Sequence, residues 1–202
     1  MKAGMVIDLA RCIGCNACTA ACKQQNGVPS GVFWSRVLVE ERGAYPDTTL
    51  HYQPVLCNHC ENAPCVSSCP TGASHYAAGG IVDIDATKCI GCRACVIACP
   101  YGARTYMYGH PRSYFPGKER LPLEAHNHRN FVRGTVNKCT FCKDRVAEGE
   151  EPACVKTCVT KARVFGDLSD PKSEVSRLIA KRNGRPLLQE KGTKPSIYYI
   201  QR

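Results

Sequence analysis

Cysteine constrains this 202-residue chain more than any hydrophobic pattern does. Its sixteen cysteines fall into four runs of four, and none lies outside the runs. The runs, numbered one to four along the chain, are Cys12, Cys15, Cys18 and Cys22; Cys57, Cys60, Cys65 and Cys69; Cys89, Cys92, Cys95 and Cys99; and Cys139, Cys142, Cys154 and Cys158. Any fold of this chain must therefore satisfy four separate groups of thiols.

The spacing within the runs predicts the ligand. Runs one and three are C-x2-C-x2-C-x3-C, the pattern that holds a cubane iron–sulfur cluster. Runs two and three continue into Cys69-Pro70 and Cys99-Pro100, the Cys-Pro ending of bacterial ferredoxins. Sixteen thiolates are the ligand count for four [4Fe–4S] clusters, which we predict as the cofactors.

Disulfide bonds and structural zinc are the alternative uses of so many cysteines. Eight disulfides would need an oxidising compartment, yet the first cysteine already stands at position 12, which leaves no room for a signal peptide. Run four, taken alone, resembles a variant of a four-thiolate zinc site. Runs one and three do not, because three cysteines at two-residue intervals followed by a fourth suit a cubane.

The formal net charge of +10 could indicate a nucleic-acid-binding protein. That count treats every cysteine as neutral. Four thiolates and an oxidised cubane together carry about −2, so four such sites reduce the charge to about +2. We therefore interpret the excess of Lys and Arg as compensation for cluster charge and predict no nucleic-acid partner.

Location is constrained only by what the sequence lacks. No stretch reaches the roughly 18 apolar residues of a membrane span. No twin-arginine signal is present either. We expect a chain without a direct membrane span that is either cytoplasmic or exported together with a partner that carries the signal.

The chain repeats itself, which indicates an array of one structural unit. The segment ARCIGCNACTAAC at 10–22 matches TKCIGCRACVIAC at 87–99, and APCVSSCPTGA at 63–73 resembles PACVKTCVTKA at 152–162. Between runs two and three, an Ala78-Gly79-Gly80 turn followed by the alternating strand 81–85 is typical of the middle of a ferredoxin. Runs two and three are therefore predicted to form one module, and runs one and four the other.

Ligand sets follow from the ferredoxin precedent, in which the fourth cysteine of each run binds the other cluster of its module. The predicted sets are Cys57, Cys60, Cys65 and Cys99; Cys69, Cys89, Cys92 and Cys95; Cys12, Cys15, Cys18 and Cys158; and Cys22, Cys139, Cys142 and Cys154.

The expected fold is α+β, with two bacterial-ferredoxin-like modules in one chain. Residues 1–50 and 136–166 form the module of runs one and four, and residues 51–108 form that of runs two and three. Residues 109–135 are rich in Gly, Pro, His and Arg and are predicted to be a connector or docking loop. Residues 167–202 are predicted to be a C-terminal extension with a helix over 173–183 and a short edge strand at 197–200.

The sequence offers no catalytic residues. Nucleotide-binding glycine motifs and the serine hydrolase motif are missing. His59 lies inside run two, where it could donate a hydrogen bond that tunes a cluster. We expect a chain with no active site of its own that serves as a non-catalytic subunit of an oxidoreductase.

These motifs give the chain a family resemblance over roughly residues 4–170. The strings LCNHCENAPCVSSCPTGA, CIGCRACVIACPYGARTY and NKCTFCKDR resemble the four-cluster electron-transfer subunits of molybdopterin-dependent respiratory oxidoreductases, among them the dimethyl sulfoxide, polysulfide or thiosulfate, tetrathionate and arsenate reductases. ARVFGDLSDPKSEVS is similar to the arsenate, thiosulfate and catechol-dehydroxylase branch. Nitrate reductase relatives have Trp where this chain has Cys92, so the resemblance implies four [4Fe–4S] clusters here.

The resemblance also implies partners. They are a large catalytic subunit that holds molybdopterin and, in many members, a membrane quinol-interacting subunit or a cytochrome. Export on a signal-bearing partner would place the complex in the periplasm or on the outer face of the membrane. The alternatives are an electron-transfer subunit of a formate dehydrogenase or hydrogenase, and a free-standing polyferredoxin.

Overall fold

A computed structural model describes residues 1–201 and has an α+β architecture of short elements, as expected. The longest strands form a hairpin, and the remainder are two to six residues long. The strands of the described residues are β1 Ala3–Asp8, β2 Ser35–Ala44, β3 Asp47–Leu56, β4 Ser74–Tyr76, β5 Val82–Ile84, β6 Thr105–Tyr106, β7 Val136–Asn137, β8 Arg163–Asp167 and β9 Ile197–Ile200.

Most of the helices begin within the cysteine runs. Only the first and last of them exceed six residues. The α-helices of the described residues are α1 Ala17–Asn26, α2 Pro64–Ser67, α3 Ala94–Ile97, α4 Pro122–Asn127, α5 Lys143–Ala147, α6 Ala153–Lys156 and α7 Glu174–Lys181. Helices this short are marginal on their own, so tertiary contacts must hold them in place.

A three-stranded sheet in the order β8-β1-β9 forms the base of one module. β1 pairs antiparallel with β8 and parallel with β9. Every residue of β1 is buried, because Met5 and Ile7 face a core that contains Cys18, while Val6 faces Val175 and Ile200 on the other side. The alternation of faces along a strand produces this double burial.

The segment 167–202 is therefore not an extension outside the modules. The predicted edge strand is confirmed as β9, but it completes the same sheet as β1 and β8. The predicted helix is confirmed as α7, which begins after the N-cap Ser173, whose hydroxyl accepts a hydrogen bond from Ser176 N. Its residue Val175 is fully buried against the sheet.

The β2–β3 hairpin also departs from the predicted boundary between residues 50 and 51. Its strands pair in continuous register from Ser35 opposite Leu56 to Ala44 opposite Asp47. Ser35 and Leu56 at the base are buried, whereas Tyr45 at the tip is 93% exposed. The boundary falls inside β3, and the hairpin projects from the body as a long arm.

The predicted turn between runs two and three is confirmed. β4 and β5 pair antiparallel across a 3-10 turn at Ala78–Gly80, in which Gly79 has a positive φ of 71°. β6 and β7 pair antiparallel with each other, so the strand after run three lies beside the strand before run four.

The predicted connector, 109–135, carries structure of its own. It contains α4, whose Glu124 is buried and accepts hydrogen bonds from Ser113 Oγ and from the backbone N–H of Tyr114 and Leu121. Tyr114 in turn donates its hydroxyl to Val28 O. The connector is thereby attached to the segment that follows run one.

Within residues 1–201, no helix is both long and apolar enough to cross a membrane.

Candidate cluster sites

Each cysteine run curls around a common point because one residue takes a left-handed conformation. The residue before the second cysteine has a positive φ in every run: Gly14, His59, Gly91 and Phe141. Gly91 also packs closely against the backbone of Gly134. A Cβ at this position would lie only 2.1 Å from Gly134 O, so a side chain would clash there. The backbone thus turns within two residues and directs neighbouring thiols toward one side.

One group of four thiols lines a common pocket. Three of them come from run three and the fourth from run two: Cys89, Cys92, Cys95 and Cys69. The Ser74 N–H donates to Cys69 Sγ over 3.4 Å. Cys92 is exposed, so this site reaches the surface. We call it outer site A.

A second group lines a pocket at runs one and four. Its thiols are Cys12, Cys15, Cys18 and Cys158. The Ala162 N–H donates to Cys158 Sγ over 3.2 Å, the counterpart of the contact at Cys69. Cys15 is exposed, so this group, outer site B, also reaches the surface.

The third group, inner site A, consists of Cys57, Cys60, Cys65 and Cys99. Cys57, Cys60 and Cys65 are buried. Burial raises the pKa of the Cys60 thiol to about 12, and the negative charges of its three partners in the group add to that increase. These charge interactions group Cys99 of run three with the three thiols of run two.

The fourth group, inner site B, consists of Cys22, Cys139, Cys142 and Cys154. The Asn26 amide lies 3.7 Å from Cys22 Sγ and 3.8 Å from Cys142 Sγ. Burial raises the pKa of Cys22 to about 12, and the charges of Cys154 and Cys142 raise it further. Cys139 is influenced by the charge of Cys57 as well as by that of Cys22, so the two inner sites are neighbours.

The four groups bring together the thiols of the predicted ligand sets. That each set binds one cluster, with the fourth cysteine crossing to the cluster of its partner run, stays a prediction. Their chemistry suits [4Fe–4S] clusters: each site supplies four thiols, with backbone N–H donors at the sulfurs of both outer sites. The raised thiol pKa values mean that binding iron must displace protons. Cys69 and Cys158 behave differently, because burial opposes their ionisation but hydrogen bonds outweigh it and lower their pKa.

Two buried arginines that the sequence reasoning missed lie among these thiols. Arg104 Nη2 is 3.0 Å from Cys65 Sγ, and Arg163 Nη2 is 3.4 Å from Cys18 Sγ. Burial works against the charge of both, but nearby thiolates outweigh it and raise the pKa of each guanidinium. Their shared position in the sequence could have identified them. Each arginine follows an alanine and stands five residues after the fourth cysteine of its run.

His59 lies at the junction of the inner sites. Its ring is buried and stacks on Phe141 of run four, and its Nδ1 accepts a hydrogen bond from Val82 N over 3.2 Å. Burial holds the pKa of His59 well below its usual range, so the ring is neutral and its proton is on Nε2. Nε2 has no partner among the described residues, and donation to a cluster stays a prediction.

Comparison with known proteins agrees with these sites. Two family models described as 4Fe-4S dicluster domain match the chain, one over residues 48–111 and 115–168 and the other over 11–73. The matches together include all four runs.

Relatives that align with nearly the whole chain were also found. A protein of Halobacterium salinarum, provisionally named as the iron-sulfur subunit of a dimethyl sulfoxide reductase, is 46% identical, with 98% of this chain and 78% of the relative covered. The arsenate respiratory reductase iron-sulfur subunit of a Shewanella species is 39% identical, with coverage of 100% and 97%. One of the chains of the polysulfide reductase of Wolinella succinogenes is 42% identical, with coverage of 98% and 94%.

The predicted cofactors and role are thereby confirmed. With four thiol sites of cubane type, this chain belongs to the family of four-cluster [4Fe–4S] electron-transfer subunits of respiratory oxidoreductases.

Proposed function

We propose that this subunit connects a quinol- or cytochrome-side partner with a large molybdopterin-containing catalytic subunit, and that the complex works in the periplasm or on the outer face of the membrane. When bound, each cluster supplies a one-electron carrier. The chain's own contribution is to hold four such carriers in a fixed order and to insulate the middle of the series.

The arrangement of exposed and buried thiols is the observation that carries this proposal. Cys92 of outer site A and Cys15 of outer site B are exposed, whereas most thiols of the inner sites are buried. The inner sites adjoin each other through Cys57 and Cys139. The order is therefore outer A, inner A, inner B and outer B, with contact to solvent or partners at both ends.

Exposed apolar residues lie close in the sequence to cysteine ligands of the two outer sites. Ile90 and Ile97, beside outer site A, are 68% and 85% exposed, and Ile13 and Val159 are similarly exposed beside outer site B. Exposed apolar groups of this kind are typical of protein–protein contacts. Two such surfaces at two ends suit a subunit that stands between two partners.

The partner classes come from the relatives. The Shewanella and Wolinella proteins are named as components of an arsenate respiratory reductase and a polysulfide reductase. The sequence resemblance described above supplies the molybdopterin assignment and the location. It favours this interpretation over a formate dehydrogenase or hydrogenase subunit.

Purification of the tagged chain from its own cells tests the proposal. We expect a stoichiometric complex with a large subunit that contains molybdenum. That complex should be recovered in the periplasmic fraction or bound to the outer face of the membrane. Iron and molybdenum analysis of the same sample supplies the measurement. A stable monomer that contains iron but no molybdenum partner would refute the proposal, and a nickel-containing partner would point to a hydrogenase.

A further inference from the structure

The two buried arginines occupy equivalent places in the two modules. Arg104 and Arg163 are 5% and 3% exposed. Each follows the fourth cysteine of one run by five residues and donates to the third cysteine of the paired run, Cys65 or Cys18. Each also donates to a buried serine hydroxyl, Ser74 at 2.7 Å for Arg104 and Ser35 at 3.2 Å for Arg163.

Each arginine also lies beside the other site of its own module. Arg163 donates to Cys18 of outer site B and lies within the charge field of Cys154 of inner site B. Arg104 donates to Cys65 of inner site A and lies within the charge field of Cys95 of outer site A. Both guanidinium groups therefore stand between an inner and an outer site.

Within residues 1–201, neither arginine forms an ion pair with a carboxylate. A guanidinium keeps its positive charge at any pH that a protein tolerates. The negative groups nearest to these two fixed cations are therefore the cysteine thiolates. A role in neutralising Asp or Glu does not account for their burial.

A buried cation affects reduction because its field is weakly screened. A cluster gains one negative charge when it accepts an electron, and a neighbouring positive charge stabilises that reduced form. Hydrogen bonds to the ligand sulfurs act in the same direction. Each arginine should therefore raise the reduction potentials of both sites that it separates.

We infer that Arg104 and Arg163 are positioning residues that set these potentials, each through its charge and its hydrogen bonds to thiolate and serine. Arg104 acts on inner and outer site A, and Arg163 on inner and outer site B. The inference goes beyond the proposed function and needs only the cluster content, whatever the catalytic partner is.

Potentiometric titration of the full chain, followed by electron paramagnetic resonance, tests this inference. In Arg104→Gln we expect two of the four potentials to fall, each by at least the roughly 59 mV that corresponds to a tenfold change for one electron. The other two should stay unchanged. In Arg163→Gln the complementary pair should fall.

Arg177→Gln is the matched control, because Arg177 is exposed on α7 and its replacement removes the same charge. All four potentials should stay at their wild-type values in that variant. Iron and sulfide content, measured on each sample, establishes that four clusters are present.

Should a Gln variant lose iron, the corresponding Lys variant takes its place. Lysine keeps the charge but cannot reproduce the planar guanidinium and its hydrogen bonds, so we expect a smaller fall confined to the same two clusters. A fully loaded Gln or Lys variant with unchanged potentials would overturn the inference, as would an equal fall in all four. Failure of the chain to co-purify with a molybdenum subunit would not affect this result.

Discussion

The imidazole of His59 stacks on the phenyl ring of Phe141, with ring centroids 4.0 Å apart and an angle of 21° between the planes. The two residues precede the second cysteine of runs two and four, and both have a positive φ. The contact therefore joins the two modules at the point where their inner sites meet.

Removal of the Phe141 ring should weaken that junction. Phe141 is 1% exposed, so Phe141→Ala is expected to lower the free energy of unfolding by about 3 to 5 kcal/mol. Loss of the visible cluster absorbance in urea is the measurement. The control is Phe115→Ala, because Phe115 is 47% exposed. Equal urea midpoints for the two variants would show that the stack contributes nothing.

The crossing of the fourth cysteines can be tested by paired substitutions. Cys158→Ser and Cys15→Ser should alter the same electron paramagnetic resonance signal, because both thiols line outer site B. Cys154→Ser should alter a different one. If Cys158→Ser and Cys154→Ser share a signal that Cys15→Ser leaves intact, each run keeps its own cluster and the assignment is wrong.

Substitution of Cys92 tests the fourth ligand of outer site A. Cys92→Ser should convert or destroy one cluster and leave three, because the other twelve ligands lie elsewhere. Low-temperature electron paramagnetic resonance with an iron count is the readout. Four unchanged signals would contradict the assignment of Cys92.

Cluster assembly should depend on pH. The pKa of Cys22 and of Cys60 is raised to about 12, so both thiols are protonated at neutral pH before iron binds, and they bind iron as thiolates. Assembly therefore releases protons, and the affinity for iron should rise as the pH rises from about 7 toward about 9. Protons released on adding ferrous and ferric iron with sulfide to the metal-free chain can be counted with a pH indicator, after subtraction of the protons that hydrosulfide gives up. Assembly without proton release would refute this account.

The last strand, β9, should stabilise the module of runs one and four more than the module of runs two and three. Ile197 is fully buried in β9, and Ile197→Ala is expected to cost about 2 to 5 kcal/mol. Clusters of the sites formed by runs one and four should be lost first on heating, because β9 pairs with β1. Ile97→Ala, at an 85% exposed position, is the matched control and should behave as wild type. Simultaneous loss of all four signals would count against a module-specific effect.

Local signals made part of this structure predictable. The cysteine spacing carries its own ligand chemistry, and the Gly79-Gly80 turn lies next to its alternating strand. Arg163 and Cys18 could not be paired in this way, since 145 residues separate them and neither has a motif that names the other. The β2–β3 hairpin was also missed, because its outer strand residues are exposed and give no core-facing pattern.

The central position of β1 has a consequence for biosynthesis. Its two partners, β8 and β9, are made about 155 residues later or more, which takes roughly 10 to 30 seconds at ordinary rates of translation. Runs two and three, by contrast, are complete soon after Cys99 leaves the ribosome. The ligand sets of the middle module are thus complete early in synthesis, whereas the thiols of run one must be kept reduced until run four has been made.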